Sequence, residues 1–371
     1  MTEKREWQVI LLLVCLATLL TGAGCLEILS GPAISYPILI PTEGPPLDNP
    51  YIYTYQFEDR DVCVSVNANA SVYYGAVSAG KSAVLYENLT EEEWLPGYYR
   101  SFYAGTGQSE VYDSLTDEFR RVRTEMNLDD DEYCELISTF VQSVPYKTDN
   151  LLVMPRYPIE TVVDGYGDCD DKSMLLAGLL AHENYNVSLL YFGEDNHMTC
   201  GIAADGYSYG NTGYALIEST NTSFIGVIKP VLADGTALCA EPDVLRVGNG
   251  TLTYGACDQT KALYDAAYSA RDQTEATQPE IQREAAKLSG DLEEVDSLRT
   301  RMEVLLKDDR TSEYNRLVPA YNTLAETYND EMISFNSGLD EFNRLVTKYN
   351  TILTHQYDRK GTYSMLTEGK I

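Results

Sequence analysis

"DGYGDCDDKSMLLAGLLA", residues 164–181, sets Cys169 among carboxylates where a loop runs into an apolar segment. Met174, Leu175, Leu176, Leu179 and Leu180 leave almost no polar face, so the spacing predicts a helix buried on all sides. A cysteine at the mouth of such a helix has four open meanings: reactive thiolate, half of a disulfide, metal ligand or core filler. Its sulfur feels the positive end of the helix dipole, which lowers a thiol pKa. Asp168, Asp170 and Asp171 act in the opposite sense, since nearby negative charge disfavours a thiolate. A cationic partner has to tip the balance.

The chain has only three histidines. His182 falls at the end of the buried helix and His355 far downstream, both read as solvated surface residues. His197 opens "HMTCGIAA", a strand after "NVSLLYFG", and "YALIEST" is a third. If the second and third strands pair as a hairpin, Glu218 lies opposite or diagonal to His197, within side-chain reach. Upstream, "DDDEYCELISTFVQSVPY" puts Tyr133, Leu136, Ile137, Phe140 and Val141 on one helical face, with Pro145 as the stop. The stretch between Lys147 and Asp168 is read as a loop. Helices followed by a run of strands imply an α+β domain with antiparallel pairing. No C-x-x-C or histidine pair offers a zinc site.

The segment from "YPIETVVDGYGDCDDKSMLLAGLLAHENYNVSLLYF" through "HMTCGI" to "YALIEST" resembles the transglutaminase-like superfamily, within it the microbial transglutaminase-like cysteine peptidases. The likeness spans roughly residues 130–220. It implies a papain/transglutaminase-like core, with the cysteine-bearing helix packed on an antiparallel sheet. It also implies Cys169 as nucleophile, His197 as base and Glu218 as orienting acid, where many relatives carry Asp. The chemistry implied is acyl transfer through a thioester, resolved by water or an amine. Hydrolysis of amide bonds in surface proteins is preferred. A protein-glutamine transglutaminase and an inactive binding module for envelope assembly are the alternatives. Some relatives bind calcium through acids beside the cysteine. Asp168 and Asp170 are read here as capping and charging the helix start, so neither metal nor cofactor is expected.

The flanks add context. Lys4 and Arg5 precede the apolar run "WQVILLLVCLATLLTGAGC", so residues 1–25 read as a signal peptide or membrane anchor, with Cys25 in a lipobox-like setting. The body then faces outward, tethered to the membrane at the cell surface. N-x-Ser/Thr sequons at Asn69, Asn88, Asn186, Asn221 and Asn249 permit glycosylation there. Residues 26–50 hold six of the 14 prolines and read as an extended tether. Residues 51–257 form the transglutaminase-like domain, β-rich from Tyr51 to about Tyr103. Its likeliest bridge by spacing is Cys239 to Cys257. A net charge of −30 makes nucleic acid an unsuitable partner. A protein or peptide substrate fits better.

From residue 258 to 371 charged helix formers dominate. Tyr314, Tyr321, Tyr328, Phe335, Phe342 and Tyr349 recur every seven residues, each followed by Asn. Apolar residues four places later complete a coiled-coil seam. Leu288, Leu292, Val295, Arg299, Met302 and Leu305 form a shorter second stripe with one charged break, and "KDDRTSEY" reads as the turn between two helices. A self-folded hairpin and a self-associating dimer both satisfy the pattern.

Overall fold

The computed structural model describes residues 33–148, 154–226 and 238–371. The apolar N-terminal run and the first part of the tether lie outside the described residues. In chain order the elements are β1 (Ile34–Ser35), β2 (Tyr51–Phe57), β3 (Arg60–Val66), α1 (Ala70–Ser78), β4 (Val84–Leu85), α2 (Glu91–Tyr103), α3 (Gln108–Met126) and α4 (Asp130–Ser143). Then follow α5 (Pro158–Asp164), α6 (Cys169–His182), β5 (Val187–Phe192), β6 (His197–Ala203), β7 (Tyr214–Ile217), β8 (Asp243–Arg246), α7 (Cys257–Lys307), α8 (Thr311–Thr354) and α9 (Arg359–Thr367). The chain is α+β, about 56% helical with small antiparallel sheets. No helix among the described residues is long and apolar enough to cross a membrane.

The largest sheet has the order β7-β6-β5-β8, all neighbours antiparallel. Both faces of β5 and β6 are covered, which is why they read as near-continuous apolar runs. α6 lies across this sheet, and α4 packs on α6 from the other side. From Asp171 to Leu180 every residue of α6 is buried. Val141, Phe140, Ile137, Leu136 and Tyr133 of α4 are buried as their spacing requires. Asp129 caps that helix by accepting from Glu132 N, and Glu132 returns the bond to Asp129 N.

The β-rich expectation holds only as far as Val66. Beyond it, apart from the two-residue β4 paired with β1, the chain as far as Tyr103 is helical: Asn69 caps α1 through Ser71 N, and Glu93 closes the start of α2 on Thr90 N. The stretch up to Tyr103 has helical spacing instead, with Leu95, Tyr98, Tyr99, Phe102 and Tyr103 buried along one side of α2. The loop expected between Lys147 and Asp168 contains α5, started by Pro158 at its first turn and ended by Gly165 at φ 71°.

The described part of the proline-rich segment is packed rather than free. Leu39 is buried, Thr42 N donates to Ser71 O, and Asn49 exchanges two bonds with the backbone of Ala68. Cys239 and Cys257 form no disulfide: Cys257 is buried at the start of α7, whereas Cys239 stands at the surface beside Asp195. The spacing matched a bridge, but the strand β8 between them carries the two away from each other.

α7 and α8 pack along each other, joined by a turn at residues 308–310. Leu288, Val295, Met302 and Leu305 are buried against α8, while Leu292 is 42% exposed. Tyr314, Tyr321, Tyr328, Phe335, Phe342 and Tyr349 are half-buried, and the asparagine after each is exposed. The C-terminal stretch departs from a simple pair, because α9 turns back onto the body. There Arg359 is buried, donating Nε to Glu135 Oε1 at 2.5 Å and a further N–H to Gln259.

Candidate active site

β6 starts on His197 because Asn196, at φ 49°, turns the chain into the strand. Cys200 stands opposite Ile217 and Ala203 opposite Tyr214, so Glu218, just past β7, falls diagonal to His197. His197 Nε2 lies 3.1 Å from Glu218 Oε2, and both side chains are buried. The other oxygen, Oε1, accepts from Thr220 N at 2.8 Å and Thr220 Oγ1 at 2.6 Å. Burial pushes the Glu218 carboxyl up, but the bonds from His197 and Thr220 outweigh it and hold the group below the ordinary range. An ionised carboxylate only accepts, so Nε2 carries the proton and the Nδ1 lone pair stays open.

Cys169 is the first residue of α6 and is only partly exposed. The backbone N–H of Met198, the residue after His197, points at its sulfur. One turn along α6, Ser173 Oγ donates to Met198 O at 3.0 Å and shares a 2.8 Å bond with Ser219 Oγ. One face of α6 thus rests on the start of β6 and the end of β7, which brings Cys169, His197 and Glu218 into one region. No hydrogen bond joins the sulfur to the imidazole among the described residues. Among the described residues the backbone N–H of Cys169 enters no hydrogen bond, as expected for the first residue of a helix.

Burial pushes the Cys169 thiol well up, Asp170 and Asp168 push it further, and the Met198 N–H pulls it back only in part. The resting sulfur is therefore a neutral thiol: the helix dipole does not outweigh desolvation. The neighbouring acids are not three full charges either. Burial, and after it the neighbouring Asp168, raise Asp170 well above the carboxylate range. Burial also raises Asp171, whose oxygens accept from Arg156 N at 2.6 Å and Asp168 N at 3.2 Å. Asp171 thereby fixes the segment entering α5 to the mouth of α6. The ligand atoms of Asp168, Cys169 and Asp170 lie within 4.8 Å of one another.

His182 pairs with Asp113 at 2.8 Å at the far end of α6, and His355 bonds Thr351 O beyond α8. Neither approaches Cys169. Sequence reasoning passed over Lys172, Ser173 and Gln142, whose polar ends are buried around the site. Lys172 left a signal: a lone cation inside an otherwise apolar helix needs buried acceptors. No family model matches the chain, and no curated protein or solved structure matches it either.

Proposed function

We propose that the chain is a cysteine-dependent amide hydrolase of the transglutaminase-like type, acting outside the cell from a membrane tether. In this reading α6 and the β7-β6-β5-β8 sheet correspond to a papain/transglutaminase-like core, and α7 with α8 to an intramolecular coiled coil. The observation that carries it is the buried His197–Glu218 pair at 3.1 Å, on the strand whose next N–H faces the Cys169 sulfur.

The resting thiol donates its proton to His197 Nδ1 as the sulfur attacks the carbonyl carbon of an amide. Glu218 stabilises the imidazolium that forms through the Nε2–H bond it already accepts. The open N–H of Cys169 is placed to hold the oxyanion, a contribution of about 3 kcal/mol in comparable sites. Collapse of the tetrahedral species transfers the proton from Nδ1 to the leaving amine and leaves a thioester on Cys169. His197 then removes a proton from water, which attacks the thioester and releases the acid.

The test is labelling with an electrophilic acylating probe, with Cys169→Ala as control. Equal labelling of the two would refute catalysis at this sulfur. Incubation with a labelled primary amine separates the acceptors. Release of acid without amine incorporation supports hydrolysis, and stable incorporation into a glutamine side chain reassigns the protein as a transferase.

A further inference from the structure

We propose that Lys172 is a positioning residue for the Cys169 centre, its ammonium fastening the segment that carries Glu218 to the helix that carries Cys169. Lys172 lies three residues along α6 from Cys169 and is 0% exposed. Its Nζ donates to Val144 O at 2.6 Å, Gln142 O at 3.2 Å and Thr220 O at 3.4 Å. Two of these carbonyls close the C-terminal end of α4, where a helix has unpaired acceptors and favours a cation. The third belongs to the residue whose N–H and hydroxyl both bind Glu218 Oε1. A continuous set of contacts therefore runs from Lys172 through Thr220 and Glu218 to His197.

Two neighbours strengthen this arrangement. Gln142 Nε2 donates to Glu218 O at 2.8 Å and to Ser223 O at 3.1 Å, holding the same turn from the α4 side. Ser173 holds Met198 O and Ser219 Oγ, on either side of the imidazole–carboxylate pair. A core of this size needs no buried ammonium for stability, because burying a charge is unfavourable unless it is fully bonded. All three Lys172 bonds end on backbone, which fixes chain paths rather than side chains.

The charged group facing the ammonium is Glu218. Burial lowers the Lys172 pKa to about 8 while Glu218 raises it, so the side chain is still a cation at neutral pH. The ammonium offsets the buried Glu218 carboxylate.

The proposal rests on the cysteine-nucleophile reading, and the test separates the two. The probe is p-nitrophenyl acetate. The readout is the rate of acetylation at Cys169, followed by nitrophenolate release and by mass of the Cys169 peptide, across neutral to mildly alkaline pH. Lys172→Met keeps the stem without donors and should slow acetylation about a hundredfold, whereas Lys172→Gln keeps two N–H donors and should lose only about tenfold. This graded recovery is not expected of a side chain that only fills space. Near-UV CD establishes that each variant is folded. Should Lys172→Met not fold, Lys172→Gln decides alone, and a folded Gln variant reacting at the wild-type rate overturns the proposal. If His197→Ala slows acetylation but folded Lys172 variants do not, positioning by Lys172 is refuted and the nucleophile reading stands. If wild type reacts no faster than His197→Ala, both fall together.

Discussion

Arg359→Met tests how the C-terminal helix is held to the body. Arg359 is buried, and its guanidinium donates to Glu135 Oε1 at 2.5 Å and Oε2 at 3.4 Å. Tyr254 Oη donates to the same Oε1 at 2.5 Å. Removing the cation leaves Glu135 buried with a single neutral donor, a loss of about 3–5 kcal/mol when one partner of a buried pair is deleted. For a cooperative unit of roughly 250 residues, that lowers Tm by about 6–10 °C. A second change, Glu135→Gln, removes the stranded charge and keeps an acceptor for Tyr254, so the double variant should recover most of the loss. Burial raises the Glu135 carboxyl even beside Arg359, and without the cation it rises further. An acid with a raised folded pKa binds its proton more tightly when folded, so the Arg359→Met penalty shrinks as pH falls towards the unfolded carboxyl value of about 4.3. Urea titration at neutral and mildly acidic pH measures all three terms. A single-variant loss below about 1 kcal/mol, or a double variant no better than the single, would show that the pair does not anchor α9.

Glu218→Gln should lower the acylation rate by about a thousandfold or more, because an amide facing Nε2 favours the tautomer with its proton on Nδ1; an unchanged single-turnover rate removes Glu218 from the mechanism. The folded pKa of Glu218 is depressed, so the stability it contributes is complete above about pH 4.3 and is lost as pH falls through the folded value. Denaturant titration of wild type against Glu218→Gln should show their difference closing in acid, and a constant difference contradicts an ionised carboxylate. Asp168→Asn removes a charge that raises the Cys169 thiol, so alkylation of Cys169 at neutral pH should speed up several-fold; a slower or unchanged rate contradicts the electrostatic account. Replacing half-buried Tyr328 and Phe335 together by Asp should reduce the far-UV CD helix signal and introduce an earlier melting step, and an unaltered melt counts against their place between α7 and α8.

What the sequence revealed depended on whether burial was one-sided or complete. α4, with one apolar face, and α6, with none exposed, could both be placed from side-chain spacing, as could β5, β6 and β7. α2 was obscured because tyrosines pack helices and strands alike, and Pro96 and Gly97 interrupt its pattern. The approach of Glu218 to His197 was legible as a possibility of strand pairing. The diagonal register itself came only with the β6–β7 ladder, since neither strand marks its partner residue. The return of α9 had no signal in periodicity: its ion pairs to α4, Arg359 with Glu135 and Lys360 with Glu132, join residues far apart in the chain.

The carboxylates around Cys169 make sense once their protons are placed. Three ionised acids would oppose a resting thiolate, and the structure has neither. Burial raises Asp170 and Asp171 above the carboxylate range, Asp171 accepts from Arg156 N, and burial raises the Cys169 thiol too. On the proposed mechanism, a thiol raised in this way favours proton transfer to His197 during attack on the carbonyl over a preformed ion pair. This avoids separating charge in a region where Glu218 is already ionised and the one buried cation on α6, Lys172, is committed to backbone carbonyls. The buried acids that hold the entrance of α6 in place therefore also raise the thiol of its cysteine, and on the proposed mechanism that proton leaves only as His197 Nδ1 receives it.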